Sequence, residues 1–283
     1  MPSFEGGGVE KNLIMIANYF ASKFDQLLLI TATKKYKKKF DQRIAFKTPK
    51  YSFWFKFGRF PKYVACLMLL VLEYFKNKNI VVFCFQGNLY CIILCKILNL
   101  EIVIRPNSSP SGWINNSFKK ILFSNILKLA NKIIVNSYEF KKEFWRELNI
   151  KTEYIFNPLN SIQIKKLSRQ KINNSFFSKN SLKIITVGRL VDQKDHFTLL
   201  KAVNIIKKNI NFRLIIIGEG EKKNSLQRFI NENKLKKCIK IMHYTNNPFP
   251  YIKQADIFVL SSLFEGLPNV LLEAILLKNF IIS

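Results

Sequence analysis

Four charged side chains near the C-terminal end of the chain have the types and the spacing needed to bind a phosphorylated sugar. Arg189 and Lys194 lie in VGRLVDQKDHF, residues 187–197, and Glu265 and Glu273 lie in FEGLPNVLLEA, residues 264–274. Cations bind a diphosphate, whereas carboxylates accept hydrogen bonds from hydroxyl groups. The alternative is that both cations are simply solvated, and that one carboxylate is a surface group and the other is structurally paired.

Glycine and proline beside these charges favour backbone anion sites. Gly188 ends the β-rich run KIITVG, and Pro268 suits the first turn of a helix because its missing N–H costs nothing there. The free N–H groups around Gly266 and Leu267 would then point at a ligand, as helix N-termini do. This part of the chain therefore predicts a diphosphate site at the end of two strands.

A third glycine-rich stretch, GGGVEK at residues 6–11, stands before a helical pattern close to the N-terminus. Gly7 and Gly8 would let the backbone approach a ligand closely at a helix start. The alternative is a floppy N-terminal tail.

The elements that must position these residues alternate between short β-rich runs and longer amphipathic stretches. This alternation predicts βαβ units and parallel sheets, in which ligands bind outside the carboxyl ends of the strands. Residues 157–181 are polar and lose the periodicity, so we expect a domain at 1–165, a linker at 166–180 and a second domain at 181–283. The predicted strands are LLLIT (27–31), IVVFCF (80–85), EIVIR (101–105), KIIVNS (132–137), TEYIF (152–156), KIITVG (183–188), RLIIIG (213–218), IKIM (239–242), ADIFVLSS (255–262) and FIIS (280–283).

Composition narrows the class of protein. The net charge of +28 suggests an anionic partner, but the excess is spread along the chain and only eight of the 46 cations are arginine. Without a recognisable module, this distribution argues against nucleic-acid binding. The apolar runs are shorter than the roughly 20 residues of a membrane span. The five cysteines have no CxxC pair, which predicts buried thiols and no metal site.

Taken in order, these motifs resemble the family 4 retaining glycosyltransferases of the GT-B fold. The resemblance is carried by RLVDQK after a strand, the GEG turn at 218–220, and NPFPYIKQADIFVLSSLFEGLPNVLLEA. It implies an α/β protein with two Rossmann-like parallel-sheet domains facing a cleft. The family would have a strand before GGGVEK and more elements after FIIS. We therefore expect a chain truncated at both ends, with an incomplete C-terminal domain and weak activity or stability.

The resemblance also implies a role for each candidate residue. Arg189 and Lys194 would bind the donor diphosphate, Glu265 would hold the donor sugar, and Glu273 would bind the ribose hydroxyls. Glu265, Arg189 and Lys194 are the predicted catalytic residues. The remaining predicted donor-binding residues are Gly7, Gly8, Gly188, Gly266 and Leu267, and the acceptor-side candidates are Arg105 and Asn107, for which structural turn roles are the alternative.

The implied function is transfer of a sugar, with retention of configuration, from a UDP-linked nucleotide sugar to a lipid-linked or cell-envelope glycan. No metal or other cofactor is expected, because such enzymes stabilise the leaving diphosphate with cations and a helix dipole. A cytoplasmic location is expected, with peripheral contact at the inner face of the membrane. The alternatives are a GT-B sugar-nucleotide epimerase, an inactive fragment and a basic nucleic-acid-binding protein.

Overall fold

The computed structural model describes residues 1–2, 4, 7–34, 36–50, 58–107, 110, 116–172, 174–177 and 180–283. The chain forms two compact units, Met1–Pro158 and Leu159–Ser283. The division falls before the boundary expected from the sequence, because residues 161–168 form a helix instead of remaining irregular. Asn160 caps that helix through its side chain, which accepts a hydrogen bond from the Gln163 N–H at 3.0 Å. Ile164 then packs into the core of the second unit.

The first unit contains five helices and six strands among its described residues. They are α1 Gly8–Ala21, β1 Leu27–Ile30, β2 Ile44–Lys47, α2 Phe60–Lys76, β3 Val81–Cys84, α3 Asn88–Ile97, β4 Glu101–Ile104, α4 Ser117–Leu127, β5 Lys132–Val135, α5 Tyr138–Leu148 and β6 Glu153–Tyr154. All pairings are parallel, but the described strands form two separate sheets, β1-β2 and β3-β4-β5-β6. A cavity of about 1020 Å³ is lined by β1 and β3.

The second unit is built on a single sheet. Its elements are α6 Ser161–Ser168, β7 Leu182–Val187, α7 His196–Ile206, β8 Phe212–Ile217, α8 Lys223–Glu232, β9 Ile239–Met242, α9 Phe249–Gln254, β10 Ile257–Val259, α10 Asn269–Leu276 and β11 Phe280–Ile282. The five strands are parallel in the order β11-β10-β7-β8-β9. The order therefore reverses direction between β7 and β10, which is where doubly wound sheets bind ligands.

The prediction of an α/β protein with two Rossmann-like parallel-sheet units is confirmed. Each predicted strand is present. Burial accounts for the central strands, whereas β6 and β11 are short and largely exposed. Strand β8 is the clearest case, since Leu214 to Ile217 are almost completely buried and helices cover both faces of a sheet of this kind. The sequence analysis missed β2, whose IAFK run is short and has a basic residue at its end.

The cysteines are buried thiols, as expected, apart from the half-buried Cys238. Burial raises the pKa of the Cys66 thiol to about 11. None of the helices in the described part of the chain has the length and apolarity that crossing a membrane requires.

Candidate active site

The predicted donor-binding residues of the second unit gather at the reversal of strand order. Ile257 and Phe258 of β10 pair with Ile184 and Ile185 of β7, so the two parallel strands end at the same edge of the sheet. The segment with Gly188, Arg189 and Lys194 leaves β7 at that edge, and the segment with Glu265 leaves β10 beside it. Residues 71 positions apart in sequence are brought together in this way.

Hydrogen bonds join these two segments. Gln193 Nε2 donates to the Phe264 carbonyl at 3.1 Å, and the Leu263 N–H donates to the Gln193 carbonyl at 2.9 Å. The Ser261 hydroxyl donates to the Lys194 carbonyl at 2.9 Å. The sequence analysis did not assign Gln193 or Ser261 a role, because their contacts depend on the order of strands in the sheet.

Lys194 and Glu265 form an ion pair between the two segments. Their side chains are only 14% and 21% exposed, so solvent screens this pair less than a surface pair. The Lys194 side chain passes close to Gly188, where a Cβ atom would lie in ordinary van der Waals contact with Cε of the lysine, at 3.5 Å. The lysine chain therefore lies along the glycine backbone on its way to Glu265.

The other predicted residues of the second unit lie around this pair. Arg189 is exposed just beyond the end of β7, and Gly266 and Leu267 are half-buried before α10. Helix α10 begins at Asn269, with Pro268 at the N-cap instead of in the first turn. Glu273 lies one turn into α10 and is 4% exposed.

The GEG turn at 218–220 packs directly against the backbone after β7. A Cβ atom on Gly218 would lie 1.9 Å from the Gly188 carbonyl oxygen, and one on Gly220 would lie 2.3 Å from the Leu190 carbonyl oxygen. Both distances are far inside van der Waals contact, so only glycine fits. The N–H of Leu190 also donates to the Glu219 carbonyl at 2.8 Å. The close packing and this hydrogen bond hold the backbone of residues 188–190 in place against the GEG turn.

Next to the lysine, His196 is buried in the first turn of α7. Burial lowers the pKa of its imidazole to about 4, and the positive charge of Lys194 adds to the effect. Asp195 caps the helix, since its carboxylate accepts from the N–H of Thr198 at 3.3 Å. His196 is therefore a neutral packing residue at neutral pH.

A second polar cluster lies at the ends of β8 and β9. Glu219 Oε1 and His243 Nδ1 are 2.5 Å apart, and Lys223 Nζ lies 3.2 Å from the same histidine nitrogen. The imidazole is largely exposed, as is the neighbouring Tyr244. The cluster leaves aromatic and imidazole faces open to solvent.

The candidates of the first unit are engaged within that unit. The Gly7 N–H, at the N-cap of α1, donates to Glu10 Oε2 at 2.8 Å, so a carboxylate of the same helix already occupies this backbone donor. Gly8 is exposed in the first turn. Gly6 lies outside the described residues.

Arg105 and Asn107, the acceptor-side candidates, also make internal contacts. The guanidinium of Arg105 is buried and donates to the Ile155 carbonyl at 3.2 Å and to Asn157 Oδ1 at 2.8 Å. Burial lowers the pKa of this group. Asn107 Nδ2 donates to the Phe85 carbonyl at 2.5 Å. These bonds tie the ends of β3, β4 and β6 together.

Solved structures with this fold identify its class. An Anabaena protein, HepE, in complex with UDP-glucose superposes with a TM-score of 0.74 over 99% of this chain and 78% of that one, at 17% identity. A glycosyltransferase from Rickettsia africae also gives a TM-score of 0.74, over 99% and 76% of the two chains, at 19% identity. The fold is therefore that of the GT-B glycosyltransferases.

Sequence relatives name the family. Residues 168–283 match the model described as "Glycosyl transferases group 1". An uncharacterized glycosyltransferase of Methanocaldococcus jannaschii is 34% identical over 68% of this chain and 52% of its own. The chain belongs to the group 1 glycosyl transferases.

A further relative carries a named activity. It is the N-acetylgalactosamine-N,N'-diacetylbacillosaminyl-diphospho-undecaprenol 4-alpha-N-acetylgalactosaminyltransferase of Campylobacter jejuni, 30% identical over 62% of this chain and 48% of its own. This chain thus spans about half the length of the curated relatives it matches.

Proposed function

We propose that the protein transfers a sugar from a nucleotide sugar, with UDP as the expected nucleotide, to a lipid-linked or envelope glycan, with retention of configuration. The observation that carries this proposal is the ion pair of Lys194 with Glu265 where the strand order of the second unit reverses, with Arg189 on the same loop as the lysine. Cations, a carboxylate and a helix start at one strand edge fit a diphosphate joined to a sugar. The acceptor class is supported by the Campylobacter jejuni relative, whose name includes diphospho-undecaprenol.

In the proposed mechanism, Lys194 and Arg189 hold the donor diphosphate beside the start of α10. As the bond to the sugar breaks, negative charge develops on the departing nucleoside diphosphate. The two cations and the helix dipole offset that charge, and electrostatic stabilisation of this kind accounts for much of the rate enhancement in many enzymes. Transfer then proceeds without a metal ion or other cofactor.

The carboxylates position the donor. The Glu265 carboxylate would accept hydrogen bonds from the sugar hydroxyls, and the N–H groups of Gly266 and Leu267 would donate to the sugar. Glu273 would accept hydrogen bonds from the ribose hydroxyls. When the diphosphate binds, Lys194 exchanges Glu265 for a phosphate oxygen, which frees the carboxylate for the sugar. Holding both reacting groups in place lowers the barrier further. Gly7 and Gly8, and Arg105 and Asn107 for the acceptor, remain candidates from the resemblance alone.

Titration of UDP into the purified chain, by calorimetry, tests the site. We expect Arg189→Ala and Lys194→Ala to weaken binding by at least about tenfold each, since each removes a cation from the diphosphate. Lys201→Ala is the matched control, because this exposed lysine of α7 lies on the same unit. Unchanged affinity in both site variants would reject the phosphate role.

Product analysis separates transfer from epimerisation. A transferase incubated with a UDP-sugar and an undecaprenyl-diphosphate glycan releases UDP and lengthens the glycan. An epimerase would change the sugar nucleotide without any acceptor. We further propose that the reaction takes place at the cytoplasmic face of the membrane, where a lipid-linked acceptor is held.

A further inference from the structure

Helix α4 and the turn after it have large apolar side chains on the solvent side. Phe118, Ile121, Leu122 and Leu129 recur at the spacing that aligns residues along one side of a helix. All four are exposed, with Phe118 at 74%. The opposite side of the helix is already packed, through Leu127 and through Ser124, whose hydroxyl donates to the Leu148 carbonyl at 2.9 Å. The four exposed apolar side chains are therefore not needed to pack α4 onto the core of the first unit.

The neighbouring helices continue this surface. Helix α3 packs beside α4 and exposes Tyr90, Ile93 and Ile97. The ring of Tyr90 contacts Phe60 at the start of α2, with centroids 5.9 Å apart. We call the set of exposed apolar side chains on these three helices and the turn after α4 the apolar face. Its members are Phe60, Met68, Leu72, Phe75, Tyr90, Ile93, Ile97, Phe118, Ile121, Leu122 and Leu129.

The charges around the apolar face have one sign on α3 and α4. Lys119 and Lys128 stand on opposite flanks of the α4 stripe, and Lys96 is next to Ile97 on α3. Neither α3 nor α4 contains an aspartate or a glutamate. A helix with exposed Phe and Ile bordered by lysine has the pattern of elements that lie in the headgroup region of an anionic bilayer.

We propose that the apolar face docks the first unit onto a lipid bilayer that carries anionic headgroups. Phe118, Ile121 and Leu122 enter the boundary between headgroups and acyl chains, while Lys119 and Lys128 contact lipid phosphates. Exposed apolar side chains grouped on neighbouring helices mark an interaction site, and the lysines beside them favour an anionic partner. The inference deepens the proposed function and rests on it for the acceptor, since a lipid-linked glycan is presented at the same surface.

Vesicle co-sedimentation of the full chain tests the docking face. The vesicles contain phosphatidylcholine alone or an equal mixture with phosphatidylglycerol. We expect binding to the mixed vesicles and at least about tenfold weaker partitioning for the double variant Phe118→Ser/Ile121→Ser. The matched control is Ile162→Ser/Ile205→Ser, which removes two isoleucines of the second unit with similar exposure, Ile205 being 78% exposed. All four sites are at the surface, so folding is preserved.

A charge variant tests the lipid contact separately. Lys119→Gln/Lys128→Gln is expected to reduce binding to the mixed vesicles and to leave any binding to phosphatidylcholine unchanged. Equal partitioning of the wild type and the Phe118→Ser/Ile121→Ser variant would overturn the proposal. So would a concentration-dependent dimer in analytical ultracentrifugation that the same variant dissociates, since the apolar face would then bind a second copy.

Two further measurements separate failure of this inference from failure of the proposed function. UDP affinity should be the same in Phe118→Ser/Ile121→Ser and in the wild type. Conversely, Lys194→Ala should bind vesicles like the wild type. A chain that binds UDP but ignores vesicles would retain the donor site and refute only the docking face.

Discussion

The two units share the same alternation of strands and helices, yet they differ in where their polar side chains converge. In the second unit, segments from β7 and β10 meet at the reversal of a continuous sheet, and Lys194 pairs with Glu265 there. In the first unit, Gly7 and Arg105 bond to groups of their own unit. Both units therefore have a parallel sheet whose strand ends could bind a ligand. A cluster of charged side chains suited to binding one is found in the second unit, where the strand order reverses between β7 and β10.

The exposed surfaces differ in a complementary way. The first unit has its apolar face on α2, α3 and α4, whereas the described part of the second unit exposes fewer large apolar side chains, among them Ile205. A binding site for a polar donor and a surface for a lipid need opposite chemistry. The second unit therefore suits the donor, and the first unit suits the lipid.

The largest expected difference between the units is in how much stability each loses when a glycine of its glycine-rich segment is replaced. Gly218→Ala would force a Cβ atom against the Gly188 carbonyl at 1.9 Å, and we expect a loss of about 3 kcal/mol or more in the free energy of unfolding. Gly7→Ala meets only one oxygen of the Glu10 carboxylate, at 3.1 Å, and should cost under about 1 kcal/mol. Urea denaturation followed by circular dichroism measures both. Similar losses would mean that the two turns are equally constrained.

The buried histidine of the second unit should make its stability depend on pH. The pKa of His196 falls from 6.5 in the unfolded chain to about 4 in the fold, because burial disfavours the charged ring beside Lys194. Between these values the unfolded state binds more protons, so stability falls as the pH drops from about 6.5 to 4, by up to about 3 kcal/mol.

Thermal melts across this pH range provide the measurement. His196→Leu should flatten the dependence, since the variant has no imidazole to titrate at this site. The negative charge of Asp195, the residue directly before His196, acts to raise the pKa of the imidazole and so limits the effect. The same slope in the variant and the wild type would assign the dependence to other groups.

The buried guanidinium tests whether Arg105 is structural or belongs to an acceptor site. Arg105→Met removes bonds to the Ile155 carbonyl and to Asn157, and we expect a loss of about 2 kcal/mol in the free energy of unfolding. The control is Arg43→Met, because Arg43 pairs with Asp41 at 2.9 Å on the surface, where solvent screening leaves such a pair with little effect on stability. If the Arg105→Met variant were fully stable but bound the acceptor more weakly, Arg105 would belong to an acceptor site. The first unit would then contain a ligand-binding side chain at a strand end, as the second unit does.

The smallest effect concerns the buried carboxylate of α10. Glu273→Gln keeps the size of the side chain but removes its charge, so the variant accepts weaker hydrogen bonds from ribose. We expect about tenfold weaker UDP affinity, or about 1.4 kcal/mol, with unchanged acceptor affinity. Glu232→Gln, at the exposed end of α8, is the matched control. Unchanged UDP affinity would leave Glu273 as a structural group.

Much of the fold followed from local patterns in the sequence. Runs rich in isoleucine and valine, such as RLIIIG, form strands because their side chains are covered on both faces of a parallel sheet. Strand β2 was missed because four residues with one buried side chain carry a weak signal.

The site was less predictable, because it depends on contacts between distant segments. The sequence placed Lys194 and Glu265 at one edge, but their direct pairing depends on β7 and β10 being neighbours in the sheet. Helix α6 was not expected because its sequence is largely polar, yet Ile164 of this helix packs into the core of the second unit. Gly7 looked free for a phosphate because Glu10, which stands three residues on in the spacing of a capping box, was not considered as the acceptor for its N–H.

The division of the first unit into two sheets has a consequence for its internal motion. Among the described residues, β1-β2 and β3-β4-β5-β6 share no hydrogen-bond ladder, and a cavity lies along β1 and β3. Side chains such as Phe85, packed with Leu13 and Leu29, provide the contact across this gap. Separating packed side chains breaks no backbone hydrogen bonds, whereas separating paired strands breaks a whole ladder. We therefore expect β1 and β2 to unfold locally while β3 to β6 remain folded. Amide protons of β1 and β2 should then exchange with solvent well before those of β4.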